Sequence, residues 1–126
     1  MSRSVRVIGV PTSAGAFAPG QEQAPAALRA AGLIEALEQA GLVVRDDGDC
    51  ATWRWRPDRE NRRAQNLAKV VEIVRDTAER VAEAADELTL VLGGDCTAGI
   101  GTVAGDRKST RLNSSHSRAS RMPSSA

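Results

Sequence analysis

The segment LVLGGDCTAGIG, Leu90–Gly101, decides how the chain folds. It contains the end of a short apolar run, Leu88–Leu92, which predicts a buried β-strand. Two glycines end that run, and Asp95 and Cys96 follow them immediately. In open parallel sheets, ligands bind beyond the carboxyl ends of the strands. If the strand belongs to such a sheet, Asp95 and Cys96 lie at its functional edge.

Two earlier runs also predict strands. Val5–Val10 is rich in β-branched residues and ends at a proline, and Leu42–Arg45 is followed by the acidic sequence DDGD, which we predict to be a turn. Each strand end leads into a segment that is able to carry functional groups. These three segments are Pro11–Gln21, Asp46–Asp49 and Gly93–Thr97.

Helical patterns separate the predicted strands. The first starts at Pro25, is weakened by Gly32 and ends near Gly41, so we predict two short helical pieces. The second, Arg62–Ala85, is amphipathic, with apolar residues at helical spacing and charged residues opposite. Its apolar stripe consists of Leu67, Val70, Val71, Val74, Ala78, Val81, Ala82 and Ala85. The alternation of strands and helices predicts an α/β fold with a parallel sheet and right-handed crossovers.

Composition narrows the class of protein. The 126 residues suffice for one small domain, no apolar run is long enough to span a bilayer, and no secretory signal is visible. We therefore expect a cytoplasmic protein in which Cys50 and Cys96 are free thiols. Of 17 basic and 16 acidic residues, five and one respectively lie from Asp106 onward, so residues 1–105 carry a formal charge of −3. That balance does not suggest a nucleic-acid-binding surface.

The C-terminal segment differs from the rest in composition. Asp106–His116, DRKSTRLNSSH, has no apolar period, and its back-translation matches the start of a widely used short-read sequencing adapter. Ser120–Ala126, SRMPSSA, matches the far end of the same adapter in the same frame. We therefore predict that residues 106–126 are a non-native, disordered tail, and that His116 carries no chemistry. The alternative is a natural basic tail that binds nucleic acid or an anionic membrane.

Residues 1–105 resemble the N-terminal third of the arginase-type ureohydrolases, the family of arginase, agmatinase and formimidoylglutamase. Four stretches carry the resemblance in order: VIGVPTSAGAFAPGQEQAPAALRAAGLIEAL, VVRDDGD, the long helix and LVLGGDCTAGIGTVAG. The resemblance implies a three-layer α/β/α sandwich with a parallel sheet. In this chain, only its first β-α-β-α-β portion would be present, as the N-terminal part of an arginase-like domain.

The resemblance also implies an activity. These enzymes hydrolyse a guanidinium or amidine C–N bond with water activated by two Mn²⁺ ions. The expected partner is a small guanidino or amidino compound rather than a nucleic acid or a membrane, and the full-length protein is expected to form a homo-oligomer. Most of the family's metal ligands belong to blocks that would follow Gly105, so we expect the 126-residue chain to be inactive. The alternative is a non-catalytic relative that serves binding or assembly.

Cys96 departs from the family pattern because it occupies the position of a histidine metal ligand. Thiolate suits zinc better than the harder Mn²⁺. Three interpretations stay open: Cys96 binds metal in a site that favours zinc or a mixed pair, it lies beside a single-metal site, or the metal is lost and Cys96 is a small buried residue. Asp95 would orient the ligand or accept backbone N–H groups, or it would cap the following helix.

Overall fold

The computed structural model describes residues 3–83 and 87–117. Its elements follow the predicted order of strands and helices. They are β1 (Arg3–Val10), α1 (Ala24–Ala30), α2 (Leu33–Gln39), β2 (Leu42–Asp49), α3 (Leu67–Ala82), β3 (Leu88–Gly93) and α4 (Thr97–Ser117). A single 3₁₀ turn, Gln21–Gln23, precedes α1. Gly32 separates α1 from α2 with a left-handed backbone, φ 97°, which confirms the two predicted helical pieces.

The three strands form a parallel sheet in the order β2-β1-β3. Arg6 and Val7 are neighbours on β1, so their side chains lie on opposite faces. Arg6 donates to the carbonyl of Arg80 in α3 at 2.6 Å. Asp46, which is in register with Val7, accepts a hydrogen bond from Arg29 of α1 at 2.9 Å. Helices α1 and α3 therefore cover opposite faces, which confirms the α/β/α layering.

The core lies around β1, the middle strand, whose last six residues are buried. A buried cluster joins this strand to the helices on one face and consists of Val10, Ala14, Ile73 and Ala98. Cys50 packs against this cluster and is half-buried, and burial raises the pKa of its thiol. Within residues 3–83 and 87–117, both cysteines are free thiols.

The predicted acidic turn at Asp46–Asp49 is wrong, because these residues extend β2. They stay in the sheet by pairing with β1, where Val7 is in register with Asp46 and Gly9 with Asp49. Arg29 makes ion pairs with both Asp46 and Asp49, which offsets the repulsion between the carboxylates. A beta carbon on Gly9 would overlap the Asp49 side chain, at 1.8 Å from its Oδ1 atom.

Helix α3 begins later than predicted, at Leu67 instead of Arg62. Asn66 precedes it with a left-handed backbone, φ 60° and ψ 23°, which a right-handed helix does not include. Asparagine is among the residues that tolerate this conformation. At the other end α3 finishes at Ala82, and the predicted terminus at Ala85 lies outside the described residues.

The buried side of α3 also differs from the predicted stripe. Ile73 and Thr77 are buried although neither belongs to the stripe, whereas Leu67 and Val71 are exposed. The reason is the close approach of α4, which faces Thr77. A beta carbon placed on Gly101 of α4 would lie 2.6 Å from the Cβ of Thr77. Contact with a glycine of the neighbouring helix therefore decides which side of α3 is buried.

Helices α3 and α4 approach closely because α4 presents two glycines one turn apart. Gly105 repeats the contact made by Gly101, since its beta carbon would lie 2.5 Å from the carbonyl oxygen of Ala78. The two glycines therefore bring the backbone of α4 directly against α3.

Helix α4 extends to Ser117, so its last twelve residues fall within the segment that we expected to be disordered. Asp106–Ser117 contains neither glycine nor proline, so no strongly helix-breaking residue interrupts this part of α4. The non-native origin of residues 106–126 stays a prediction, and residues 118–126 lie outside the described part. Among the described helices, none is long and apolar enough to cross a membrane.

Protonation of Asp47 should lower the stability of the fold at acidic pH. A hydrogen bond from buried Arg6 holds the pKa of Asp47 below its usual value. The unfolded chain, with an aspartate pKa of about 3.9, therefore binds protons first as the pH falls. The ionised carboxylate stabilises the fold fully above that value and ceases to do so as the pH falls through the lower folded pKa.

We expect Asp47→Asn to make the melting temperature less dependent on pH below about pH 4. Thermal unfolding followed by circular dichroism between pH 2 and 7 measures this slope. Glu38→Gln, on the exposed surface of α2, controls for the loss of one carboxylate. Equal slopes for Asp47→Asn and the parent chain would contradict the prediction.

Candidate functional site at the carboxyl edge of the sheet

The segments that follow β1 and β3 meet at the carboxyl edge of the sheet. The backbone N–H of Gly94 donates to the carbonyl of Val10 at 3.0 Å, and the N–H of Asp95 donates to the carbonyl of Thr12 at 3.0 Å. These two hydrogen bonds continue the parallel pairing past the ends of both strands. They hold Asp95 and Cys96 beside the loop Pro11–Gln21, which we call the first loop.

Gly94 is required by this close approach. A beta carbon at this position would lie 2.1 Å from the carbonyl oxygen of Thr12 and 2.9 Å from that of Gln21. Both atoms belong to the backbone, so neither moves without disturbing the first loop. Gly93 is nearly as tight, because its beta carbon would lie 2.8 Å from the Cβ of Ala98. The two glycines thus let the chain leave β3 and enter α4 directly beneath the first loop.

Asp95 fixes the first loop and also caps α4. Its Oδ2 atom accepts the N–H of Gly15 at 2.7 Å, and its Oδ1 atom accepts the N–H of Thr97 at 2.9 Å. Each of the two interactions was predicted as an alternative, and the structure combines them. Each carboxylate oxygen of Asp95 accepts a backbone donor from a different segment. The two hydrogen bonds together hold the carboxylate in one orientation.

Cys96 is exposed and comes directly before α4. Among the described residues, the turn between β3 and α4 leaves the Cys96 thiol accessible, and its three interpretations stay predictions. The residue borders a groove of about 590 Å³ that runs from the candidate site along β3 and α4. The groove is lined by Gln21, Val91, Gly93, Gly94, Asp95, Cys96, Ala98, Gly99, Thr102 and Val103.

The described residues do not by themselves fit a centre of two manganese ions. Mn²⁺ prefers carboxylate and imidazole ligands, whereas Cys96 brings an exposed thiol to this edge. Asp49, exposed at the end of β2, is already paired with Arg29. Asp95 already uses one oxygen for Gly15 and the other for Thr97. In the part of the chain that the structure describes, no three His, Cys, Asp or Glu side chains are grouped so that they could hold a metal ion.

The sequence patterns did not identify the residues that hold the first loop from its other side. The loop after β2 pairs with it, as the N–H of Ser13 donates to the carbonyl of Trp53 at 3.0 Å and the Ser13 hydroxyl accepts the N–H of Trp55 at 2.8 Å. Asn66 donates to the carbonyl of Ala14 at 3.4 Å. Short polar side chains often form hydrogen bonds with the backbone. The spacing of Ser13 and Asn66 in the sequence does not indicate which backbone groups they contact.

Glu22 closes the far end of the first loop, and no pattern in the sequence singles it out. Its side chain is buried, and its carboxylate accepts the N–H of Gly20 at 2.7 Å. That hydrogen bond lowers the pKa of Glu22, and Arg54 adds an ion pair at 3.8 Å. The first loop is therefore anchored by carboxylates at two points, Asp95 at Gly15 and Glu22 at Gly20.

Comparison with known proteins decides the family. A sequence profile described as "Arginase family" matches residues 3–114. The chain belongs to the arginase family. The arginase of Brevibacillus brevis is 34% identical over 110 residues, which are 86% of this chain and 37% of that protein. Arginase-1 of Mus musculus is 36% identical over 105 residues, which are 82% of this chain and 32% of that protein.

Solved arginase structures support the same assignment. Arginase from Bacillus subtilis superposes with a TM-score of 0.70 at 33% identity, covering 84% of this chain and 34% of that chain. Entamoeba histolytica arginase, solved in complex with L-ornithine, gives a TM-score of 0.74 at 28% identity over 90% of this chain and 38% of its own. The resemblance and the arginase-like fold are confirmed, and the chain spans about a third of the length of these relatives.

Removing the Asp95 carboxylate should release the first loop. We expect Asp95→Ala to reduce the free energy of unfolding by about 2 kcal/mol, because two backbone donors lose an ionised acceptor. Hydrogen exchange should show much faster exchange of the Gly15 amide, and urea unfolding should give the energy. Glu38→Ala, an exposed carboxylate on α2, is the matched control. Unchanged protection of the Gly15 amide would contradict this account of the loop.

Proposed function

We propose that the chain is the N-terminal part of a hydrolase that cleaves a C–N bond in a guanidino or amidino compound. The observation that carries the proposal is family membership across residues 3–114, together with the close packing of the first loop at the carboxyl edge of the sheet. At this edge Gly94 and Asp95 hold the first loop against the turn that carries Cys96. Such an edge is where parallel α/β sheets bind ligands.

The 126-residue chain is proposed to be inactive alone. At this edge its described residues include the exposed Cys96 thiol, the backbone-bound Asp95 carboxylate and the Asp49 carboxylate, which is paired with Arg29. Other residues of a longer protein would complete the site. The remaining features belong to the same proposal. They are a cytoplasmic protein, a small-molecule partner rather than nucleic acid or membrane, a homo-oligomeric full-length form and a non-native segment at residues 106–126.

The cofactor proposed for a longer protein is Mn²⁺, by family membership. Cys96 supports zinc as the alternative, since a thiolate is a softer ligand than imidazole. The same residue favours a second candidate function, in which the protein has lost the metal site and uses the scaffold for binding or assembly. The two candidates differ in whether an arginase that contains Cys96 at this edge still catalyses hydrolysis.

A chimera separates these candidates. Residues 3–105 replace the matching segment of Bacillus subtilis arginase, and urea release from arginine and agmatine is measured with added Mn²⁺ or Zn²⁺. The catalytic proposal expects measurable hydrolysis with Cys96 present and at least about tenfold more after Cys96→His in Mn²⁺. Activity that appears only after Cys96→His favours the binding candidate, and a folded chimera that is inactive in both forms contradicts the proposed hydrolase.

The inactivity of the 126-residue chain is tested in the same assay. The purified chain should release no urea above the buffer background with either metal, because its described residues do not group three metal-binding side chains. The chimera carrying Cys96→His serves as the positive control. Hydrolysis by the 126-residue chain itself would overturn the proposal that the site is completed elsewhere.

A further inference from the structure

We propose that Asn66 is a positioning residue for the turn that carries Cys96, and that it acts through one peptide group of the first loop. This peptide group joins Ala14 to Gly15. Hydrogen bonds at its two polar atoms link the start of α3 to the start of α4. The link itself consists of contacts within the folded chain, and only its consequence for hydrolysis rests on the proposed function.

The peptide group between Ala14 and Gly15 is bound by a different segment at each polar atom. Its carbonyl oxygen accepts a hydrogen bond from the Nδ2 atom of Asn66 at 3.4 Å. Its N–H donates to the Oδ2 atom of Asp95 at 2.7 Å. A peptide group is planar, so a rotation that moves the carbonyl away from Asn66 also turns the N–H away from Asp95. The two hydrogen bonds therefore support each other.

Asp95 continues the link into the turn after β3. Its other oxygen, Oδ1, accepts the N–H of Thr97, so the carboxylate closes a turn with Cys96 at its centre. The first loop also approaches this turn directly, since a beta carbon on Gly15 would lie 2.7 Å from the Oγ1 atom of Thr97. A displaced peptide group would therefore shift Asp95 and, with it, the position of Cys96.

The backbone of Asn66 holds its amide toward the two loops. With φ 60° and ψ 23°, it is the one non-glycine residue in the described part of the chain that has a positive φ. Its N–H donates to Asp58 at 2.9 Å, and its Nδ2 atom donates to the carbonyl of Arg56 at 3.1 Å. Left-handed strain of this kind persists where the surrounding contacts determine it, and it is common at functional sites.

A local role as a helix cap does not account for the Asn66 side chain. The side chain makes no hydrogen bond that caps α3. The bond that Asn66 does give to the helix comes from its carbonyl oxygen, which accepts the N–H of Val70 at 2.9 Å and needs no side chain. Both partners of the side-chain amide are carbonyl oxygens in other segments, and the amide nitrogen is the group that donates to them.

Hydrogen exchange followed by nuclear magnetic resonance in the 126-residue chain tests the link without any enzymatic activity. Asn66→Gly removes the amide and retains the left-handed backbone, which glycine adopts readily. It should accelerate exchange of the Gly15 and Thr97 amides by about tenfold or more, while the Val70 amide stays within about threefold of the parent. A role confined to α3 would give the opposite pattern.

Asn61→Gly is the matched control, because the side-chain hydrogen bonds of Asn61 are made to Asp58. It should leave the Gly15 and Thr97 amides within about twofold of the parent. Unchanged exchange of these two amides in Asn66→Gly, or equal acceleration by Asn61→Gly, would overturn the proposal.

Two further variants keep the test decisive if Asn66→Gly disturbs the fold. Asn66→Asp keeps the size of the side chain and the tolerance for left-handed backbone, but it offers an oxygen to the two carbonyls and should accelerate the same amides. In an Asp95→Ala background, Asn66→Gly should add less than about twofold to the exchange of Gly15, because the acceptor of this amide is already absent. Fully additive effects would contradict a link through the peptide group.

The consequence for hydrolysis is measured in the chimera that carries Cys96→His. Asn66→Gly should lower kcat by about tenfold or more and leave KM within about threefold, because a small displacement of the turn misaligns the reacting groups. Asn61→Gly should change neither constant. An unchanged kcat in Asn66→Gly would overturn the positioning role. A chimera that is inactive in every form contradicts the proposed hydrolase instead, and the exchange rates then decide the link alone.

Discussion

Replacing Gly94 with alanine is expected to destabilise the fold by about 3 kcal/mol, the upper range for adding one methyl group to a tightly packed position. The new beta carbon would lie 2.1 Å from the carbonyl oxygen of Thr12. Either the turn after β3 or the first loop must move, and the hydrogen bonds from Gly94 to Val10 and from Asp95 to Thr12 would be lost. Urea unfolding of the variant and the parent chain measures the difference.

Gly99→Ala is the matched control for this experiment. Gly99 lies in the first turns of α4, and a beta carbon there would meet no atom within 4 Å. Alanine is the better helix former, so this variant should be unchanged or more stable by up to about 1 kcal/mol. If both variants lose stability equally, the requirement for glycine at position 94 does not come from the close approach of the first loop.

The second large effect is expected at Arg6, which lies in the middle strand and is only 2% exposed. Its guanidinium makes an ion pair with Asp47 and donates to the carbonyl of Arg80 in α3, and its Nη2 atom lies 3.5 Å from Glu83. Arg6→Ala would leave a cavity and remove the buried partner of a half-buried carboxylate. We expect a loss of about 3 kcal/mol, since truncating a buried side chain leaves a cavity and Asp47 keeps only its exposed partner, Arg45.

Arg45→Ala tests whether the burial of Arg6 is the cause of the large loss of stability expected for Arg6→Ala. Arg45 also forms an ion pair with Asp47, at 3.2 Å, but its side chain is 54% exposed. Exposed pairs contribute at most about 1 kcal/mol, so Arg45→Ala should cost much less than Arg6→Ala in the same thermal or urea unfolding experiment. Similar losses in the two variants would contradict the distinction between the buried and the exposed arginine.

The sequence predicted the features that depend on local chemistry. Apolar runs identified the three strands, and Gly32 marked the break between α1 and α2, where only a left-handed residue fits. The alternation of strands and helices then determined a parallel sheet with helices on both faces. Asp95 and Cys96 were placed at the carboxyl edge for the same reason, since they follow a strand directly.

The remainder depends on contacts between distant segments, which a local pattern does not contain. The four residues Asp46–Asp49 have turn-like composition, but pairing with β1 and the cation of Arg29 keep them in a strand. Similarly, Thr77 is buried because a glycine of α4 approaches it. The support of the first loop by Asn66 and Glu22 comes from bonds to backbone groups whose positions only the fold determines.

The glycine contacts between α3 and α4 have a practical consequence for protein engineering. Gly101 and Gly105 allow only a narrow range of rotation and sliding for α4 before a beta carbon or a backbone atom would collide. The contacts that set the direction of α4 relative to α3 are thus made by residues up to Gly105. A heterologous helix or a fluorescent reporter joined after this glycine would extend from the body along a known axis, and position 105 is a natural graft point for such fusions.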